Sequence, residues 1–249
     1  MHKPHISLKA EEVFRLFHFP FTNSYLSSLI VVFFFILVAV YYKNQSTKPL
    51  KEKSLVFFFI NFINNALYGF FYSILGEQTK IFYPVLGAFF LYILLQNWFG
   101  LLPGVGSLLV KVGHGEEHHM IPLFRGGTAD LNATLGLAMI SVGITQYFSV
   151  KILGFKGYIR RFYNLKDPMT LFIGTLEIVS EFSKVLSFSF RLFGNIFAGE
   201  VLLSVIAFLI PILASLPFLA LEIFVGFIQA VVFATLTSVF ISLAVVKHH

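Results

Sequence analysis

The sequence predicts an all-α polytopic membrane protein with about 5–6 membrane helices, the last two long, strongly tilted and paired as a C-terminal hairpin. Three observations predict it. Of 249 residues, 57% are hydrophobic and 18% aromatic against 12% charged, too little polar side chain to cover a soluble globule. Charge is also segregated: Val201 to Val246 holds one ionisable side chain, Glu222, whereas Lys43 to Lys53 holds four lysines and Lys151 to Lys166 five basic residues. Apolar spans joined by basic loops give that pattern. Finally, two apolar helical stretches near the C-terminus are each longer than a perpendicular crossing needs.

The net charge of +6 therefore reports topology through the positive-inside rule, and no nucleic-acid partner is inferred from it. With no cysteine in the chain, disulfides, thiolate metal sites and a cysteine nucleophile are excluded. The whole of 1–249 reads as a single integral membrane domain. Residues 1–23 form a surface segment without a secretory pattern, since Pro4, Pro20 and Asn23 interrupt it and no apolar core follows the first charges. Within it, Leu8 to Phe19 spaces its apolar residues as a short amphipathic surface helix would, with a loosely ordered tail as the alternative.

The first span, 24–42, contains a charge-free run from Leu26 closed by Tyr41 and Tyr42, and Lys43, Lys48, Lys51 and Lys53 mark its far end as the basic side. The second helix, 54–75, carries Asn61, Asn64, Asn65 and Tyr68 on one stripe, which either packs against protein or lies near the interface. The third, 81–102, is interrupted by Pro84 and ends in Gln96, Asn97 and Trp98 before Gly100 and Pro103. Its exit lies on the opposite face, because the loop to Thr128 has only Lys111 and Arg125 against Glu116 and Glu117. The fourth, 130–153, opens on Asp130 and Asn132, which suit a helix cap, and returns to the basic side at Lys151 to Lys166.

The two long helices, 168–210 and 211–247, hold Glu177, Glu181, Lys184, Arg191, Glu200 and Glu222, each costly at bilayer depth unless paired, hydrated or neutral. On a helical wheel Glu177, Glu181, Lys184, Arg191 and Asn195 fall within about 80° of one another. Glu200 points to nearly the opposite face and lies about 13 Å beyond Arg191. Glu222 and Gln229 share a face of the last helix, and antiparallel packing would bring them to Glu200 and Arg191 respectively. That geometry suits two aqueous half-paths divided by a permanent cation, because arginine stays protonated where a desolvated lysine need not. Glu181 and Lys184, three apart, are either part of that stripe's chemistry or a plain intrahelical salt bridge. Arg191 has no acidic residue three or four positions away, so its partner must come from elsewhere.

The segment SFRLFGNIFAGE, Ser189 to Glu200, resembles the signature of the a subunit of F-type ATP synthases, the stator channel protein of the membrane sector. NWFGLLP from Asn97, TADLNATLGLA from Thr128, LEIVSEFSK from Leu176 and FIQAVVFATLTSVF from Phe227 resemble that family too, in the same order. The resemblance implies a non-catalytic, proton-translocating subunit that works with a ring of c subunits, b-type peripheral stalk subunits and the rest of the ATP synthase. It implies Arg191 as the essential cation, Asn195, Glu200, Glu222 and Gln229 as the inlet half-channel, and Glu177 as the outlet, with Glu181 and Lys184 as further candidates. Val185 stands where many members have proline, so the helix is expected to run straighter there.

The expected location is a bacterial plasma membrane, with an organelle inner or thylakoid membrane as alternatives. No cofactor is expected, and the absence of a nucleotide-binding glycine loop leaves ATP chemistry to partner subunits. His114, Glu116, Glu117, His118 and His119 include metal-ligand types, yet solvated loop histidines explain them as well, so no metal site is assigned. The rival reading is a self-contained proton-coupled anion transporter, which inverted repeats would favour and the two halves do not show. A purely structural membrane subunit is the other.

Overall fold

The computed structural model describes residues 10–16, 19–106, 108–112, 119–162, 168–209 and 215–245. Six helices dominate: α1 (Asn23–Ser46), α2 (Leu55–Leu75), α3 (Thr79–Phe99), α4 (Leu131–Phe162), α5 (Pro168–Leu209) and α6 (Ser215–Val245). Five stretches are long and apolar enough to cross a membrane, with α2 and α3 counted together as Leu55–Phe99. The His114–His118 segment lies outside the described residues, and His119 opens a strand.

Two small hairpins accompany the helices, β1 (Glu12–Leu16) with β2 (Phe19–Thr22) and β3 (Leu109–Val112) with β4 (His119–Pro122). The first corrects the surface helix expected over Leu8 to Phe19. Pro20 lacks a donor for a continuing helix and pushes Phe19 toward extended backbone, so the segment folds back on itself. Phe14 then stacks on Phe21 across the pair, centroids 4.8 Å apart, a contact that helical spacing would not provide.

Pro84 likewise does not interrupt its helix. α3 is continuous from Thr79 to Phe99. The bond Pro84 cannot make would have gone to the carbonyl of Lys80, an exposed residue in the first turn. α4 departs from helical geometry at Gly154, whose φ of 74° and ψ of 157° mark a kink just beyond the expected end of the fourth span. Asp130 caps α4, its Oδ1 accepting from the Asn132 amide at 3.0 Å.

The start of α1, the end of α3 and the start of α4 meet at one end of the bundle. Gln96 Oε1 accepts from the Gly127 amide, Thr128 Oγ1 donates to Asn97 Oδ1 at 2.7 Å, and Ser24 Oγ donates to Asp130 Oδ2 at 2.9 Å. At the other end, the Tyr42 hydroxyl near the end of α1 donates to Asn61 Oδ1 at 2.8 Å. The Tyr83 hydroxyl in the first turns of α3 donates to Asn64. The asparagine stripe of α2 thus packs against protein. Since α1 and α3 run in opposite directions, α2 starts at the end of α1 and hands the chain to α3 at that same end.

The core lies among α3, α4, α5 and α6, joined by Phe71 and Leu75 from the C-terminal part of α2. Phe188 of α5 and Phe89 of α3 both pack on Phe233 of α6, with centroids 5.1 and 5.5 Å away, and Leu86, Ile93 and Leu192 are buried around them. In lipid these contacts act through close packing more than through removal of surface from water. At a rise of 1.5 Å the 42 residues of α5 span about 63 Å, twice the hydrocarbon thickness, so α5 must tilt strongly or leave the bilayer.

Because the chain lacks cysteine, its topology is directly testable. Single cysteines at Lys51 and Gln78, which flank α2, should both react with a membrane-impermeant maleimide from one face. A cysteine at Leu102 should react from the other face only.

Candidate functional site: a divided polar seam between the long helices

α5 and α6 pack along a seam with three polar stations. At the first, the Lys184 ammonium lies 2.7 Å from Glu181 Oε1, and Gln146 of α4 donates to Glu181 Oε2 at 2.6 Å. The Tyr158 hydroxyl in turn donates to Gln146 Oε1 at 3.0 Å. Both members of the ion pair are largely covered, so the intrahelical salt bridge is real and is braced from a neighbouring helix. Glu177 is half-buried one turn earlier on α5.

At the second station stands Arg191. It is exposed on α5, and its Nη2 donates to Ser187 Oγ at 3.4 Å. Among the described residues it has no carboxylate within ion-pair distance. Arg191 and Gln229 line one small hollow together with Leu192, Val232, Phe233 and Leu236, as antiparallel packing required. Asn195, one turn further, is exposed on the same side.

The third station is a cavity of about 370 Å³ whose lining includes Asn97, Arg125, Ile196, Glu200, Ser204 and Glu222. It brings together the two carboxylates expected to meet. Glu222 is only 6% exposed, and its carboxyl group lies directly over Gly199. A Cβ at position 199 would clash with that carboxyl group, so glycine there leaves the room in which the end of the Glu222 side chain rests on α5. Asn97 closes the cavity from α3 by donating to the Gly226 carbonyl at 2.8 Å, and Trp98 Nε1 donates to the Ile223 carbonyl at 3.0 Å. These bonds tie the NWFGLLP segment to the α6 turn that carries Glu222.

Sequence reasoning missed one member of this station. Arg125, from the loop before α4, donates from both Nε and Nη2 to Glu200 Oε2 at 3.2 Å. Its isolation in a weakly charged loop was visible, but nothing in the spacing linked it to an acid 75 positions away. The one available signal was the need of Glu200 for a counter-charge.

The fold and this seam define a polytopic helical membrane protein that holds ionisable groups at depth in separated stations, with an arginine open to an outside partner between them. The family model described as ATP synthase A chain matches residues 24–242. ATP synthase subunit a of Syntrophobacter fumaroxidans (strain DSM 10017 / MPOB) is 32% identical over 192 residues, covering 77% of this chain and 72% of that protein. The chain belongs to the ATP synthase A chain family, as the proton-translocating stator subunit of the F-type membrane sector.

The Gly199 contact carries a prediction. Gly199→Ala should lower ATP-driven proton pumping in membrane vesicles roughly tenfold, because the added methyl group displaces the Glu222 carboxyl group from its place over α5. Shortening the opposing side chain in the double variant Gly199→Ala/Glu222→Asp should recover part of the loss.

Proposed function

We propose that the α5–α6 seam forms two proton half-channels divided by Arg191, facing a ring of c subunits that each carry a membrane-embedded carboxylate. The observation that carries this reading is the situation of Arg191. A permanent cation sits in an apolar helix, exposed, with no carboxylate partner among the described residues, between two stations that each hold acids. A charge so placed is stable only if another molecule supplies its counter-ion.

In this reading the inlet is the cavity of Glu200 and Glu222, continued by Asn195 and Gln229 toward the ring. Two carboxylates around one cavity share protons as a pair, and Gln229 and Asn195 offer both donors and acceptors for water along the way. A proton delivered there neutralises a ring carboxylate, which can then leave Arg191 and enter lipid. After nearly a turn the carboxylate meets the outlet at Glu177 and loses its proton toward the basic side. Glu181 and Lys184, locked to each other and to Gln146, shape the outlet and do not carry the proton themselves. Arg191 opposes direct leakage because a hydrated proton passing a fixed cation in a low-dielectric site meets Coulomb repulsion. The membrane potential contributes about 2.3 kcal/mol per charge per 100 mV, which makes rotation directional.

The subunit is non-catalytic, a single integral membrane domain whose C-terminal hairpin lines the ring, held in the stator by b-type peripheral stalk subunits. A bacterial plasma membrane is the proposed location. Nothing in the seam favours the anion-transporter reading, since a substrate carboxylate at Arg191 would be exposed at the outer face of α5, not enclosed within the chain.

Arg191→Ala is the test. In vesicles whose a and c subunits still co-purify, ATP synthesis and ATP-driven pumping should both fall to background. Retained coupling in an assembled complex would contradict the proposal.

A further inference from the structure

Arg125 is the one lysine or arginine buried among the described residues, 6% exposed, and it does not come from the long helices. It is held from several sides. Its backbone amide donates to Ser27 Oγ of α1 at 3.2 Å, and its guanidinium carbon lies 5.7 Å from the ring centre of Phe197, three residues before Glu200. The following residues are fixed as well, through Gly127 on Gln96 and Thr128 on Asn97. The loop therefore presents a preplaced cation to the cavity wall.

The manner of its contact with Glu200 is informative. A guanidinium and a carboxylate ordinarily pair fork to fork, using both oxygens. Here Nε and Nη2 converge on a single oxygen, Oε2, each at 3.2 Å. Oε1 accepts no hydrogen bond from any described residue, while the Glu200 side chain stays 42% exposed beside the cavity it lines with Glu222. One oxygen is thus anchored and the other is left for a mobile partner. Glu222, in contrast, has no hydrogen bond or ion pair among the described residues.

We propose that Arg125 is a positioning residue for Glu200: by pinning Oε2 it makes Oε1 the oxygen that takes up and releases the proton within the cavity shared with Glu222. The inference rests on the reading of that cavity as the inlet. It also assigns the α3–α4 loop a part in translocation that the long helices alone do not account for. Protonating Glu200 at Oε1 forms one O–H bond there, supplied by a hydronium or by Glu222, and leaves the guanidinium still hydrogen-bonded to Oε2 as a carbonyl-type acceptor. The buried cation is never stripped of its partner during the cycle, which a single-oxygen clamp permits.

The experiment is a double-variant cycle in membrane vesicles containing the complete ATP synthase, reading ATP-driven proton pumping, with assembly followed by co-purification of the c subunits. The variants are Arg125→Gln, Arg125→Lys, Glu200→Gln and Arg125→Gln/Glu200→Gln. Arg125→Gln should reduce pumping about tenfold or more, because Glu200 loses its anchor in a partly buried site. Arg125→Lys, which keeps a cation within reach of Oε2, should restore a substantial part. In the Glu200→Gln background the Arg125→Gln change should cost little further.

Equal failure of the Gln and Lys variants, together with a loss in the Glu200→Gln background as large as in the unaltered chain, would overturn the proposal and leave Arg125 a merely structural residue. Full pumping by Arg125→Gln would overturn it too, without touching the inlet reading so long as Glu200→Gln is impaired. Unaltered pumping by Glu200→Gln would remove the inlet reading and this inference with it.

Discussion

Ionisable side chains at membrane depth are unstable unless something cancels or hydrates them, and this constraint shapes the C-terminal half of the molecule. Three different solutions appear along one seam. Glu181 and Lys184 neutralise each other and are braced by Gln146. Glu200 is matched by Arg125 and shares a cavity of about 370 Å³ with Glu222. Arg191 has no carboxylate partner among the described residues and is exposed on α5, where the proposed mechanism places the ring carboxylate. The paired stations hold the seam together, and the unpaired one is available for work.

The rest of the fold supports that division. Gly199 leaves the room in which the end of the Glu222 side chain rests on α5, and Phe188 and Phe233 lock the two helices further along. α3 contributes Asn97 and Trp98, which hold the Glu222 turn through backbone carbonyls. α1, remote in sequence, reaches the site through Ser27 and Ser24, which steady the loop carrying Arg125 and Asp130. α2 remains at the opposite end, attached through its asparagines to Tyr42 and Tyr83. Local hydrogen bonds at helix ends thus set the positions of groups that long-range packing alone would leave loose.

Much of this was legible in the residues. The clustering of lysines and arginines located the loops, and the 3.6-residue period placed Arg191 on a face opposite Glu200, so antiparallel packing was enough to pair each with its α6 neighbour. The same period put the asparagines of α2 on one stripe but left open whether it faced protein or the interface, which the bonds of Asn61 and Asn64 to Tyr42 and Tyr83 decide. What escaped were features set by tertiary context. The N-terminal strand pair depends on Phe14 meeting Phe21 across it, whereas the amphipathic spacing of Leu8 to Phe19 suggests a helix that Pro20 does not allow to continue. Pro84 signals a break by composition, yet it costs the helix a single bond, to the carbonyl of Lys80, an exposed residue near the helix start that water can reach. Arg125 could not be matched to Glu200 by spacing at all, since a loop can deliver a side chain to any wall it reaches.

α5 and α6 pack antiparallel in the register that sets Glu222 over Gly199 and Gln229 beside Arg191. A Cβ at 199 would lie 2.0 Å from the Glu222 carboxyl carbon, itself two bonds from that residue's own Cβ, which puts the two positions within the reach of a disulfide. The naturally cysteine-free chain makes the measurement direct: replace both positions with cysteine, oxidise the assembled complex in its membrane, and follow the bridge by mass spectrometry. This register should give a 199–222 disulfide in high yield that is lost when either cysteine is moved by two positions along its helix. Failure of 199 and 222 to join, with efficient bridging between 199 and a site one or more turns away on α6, would contradict it.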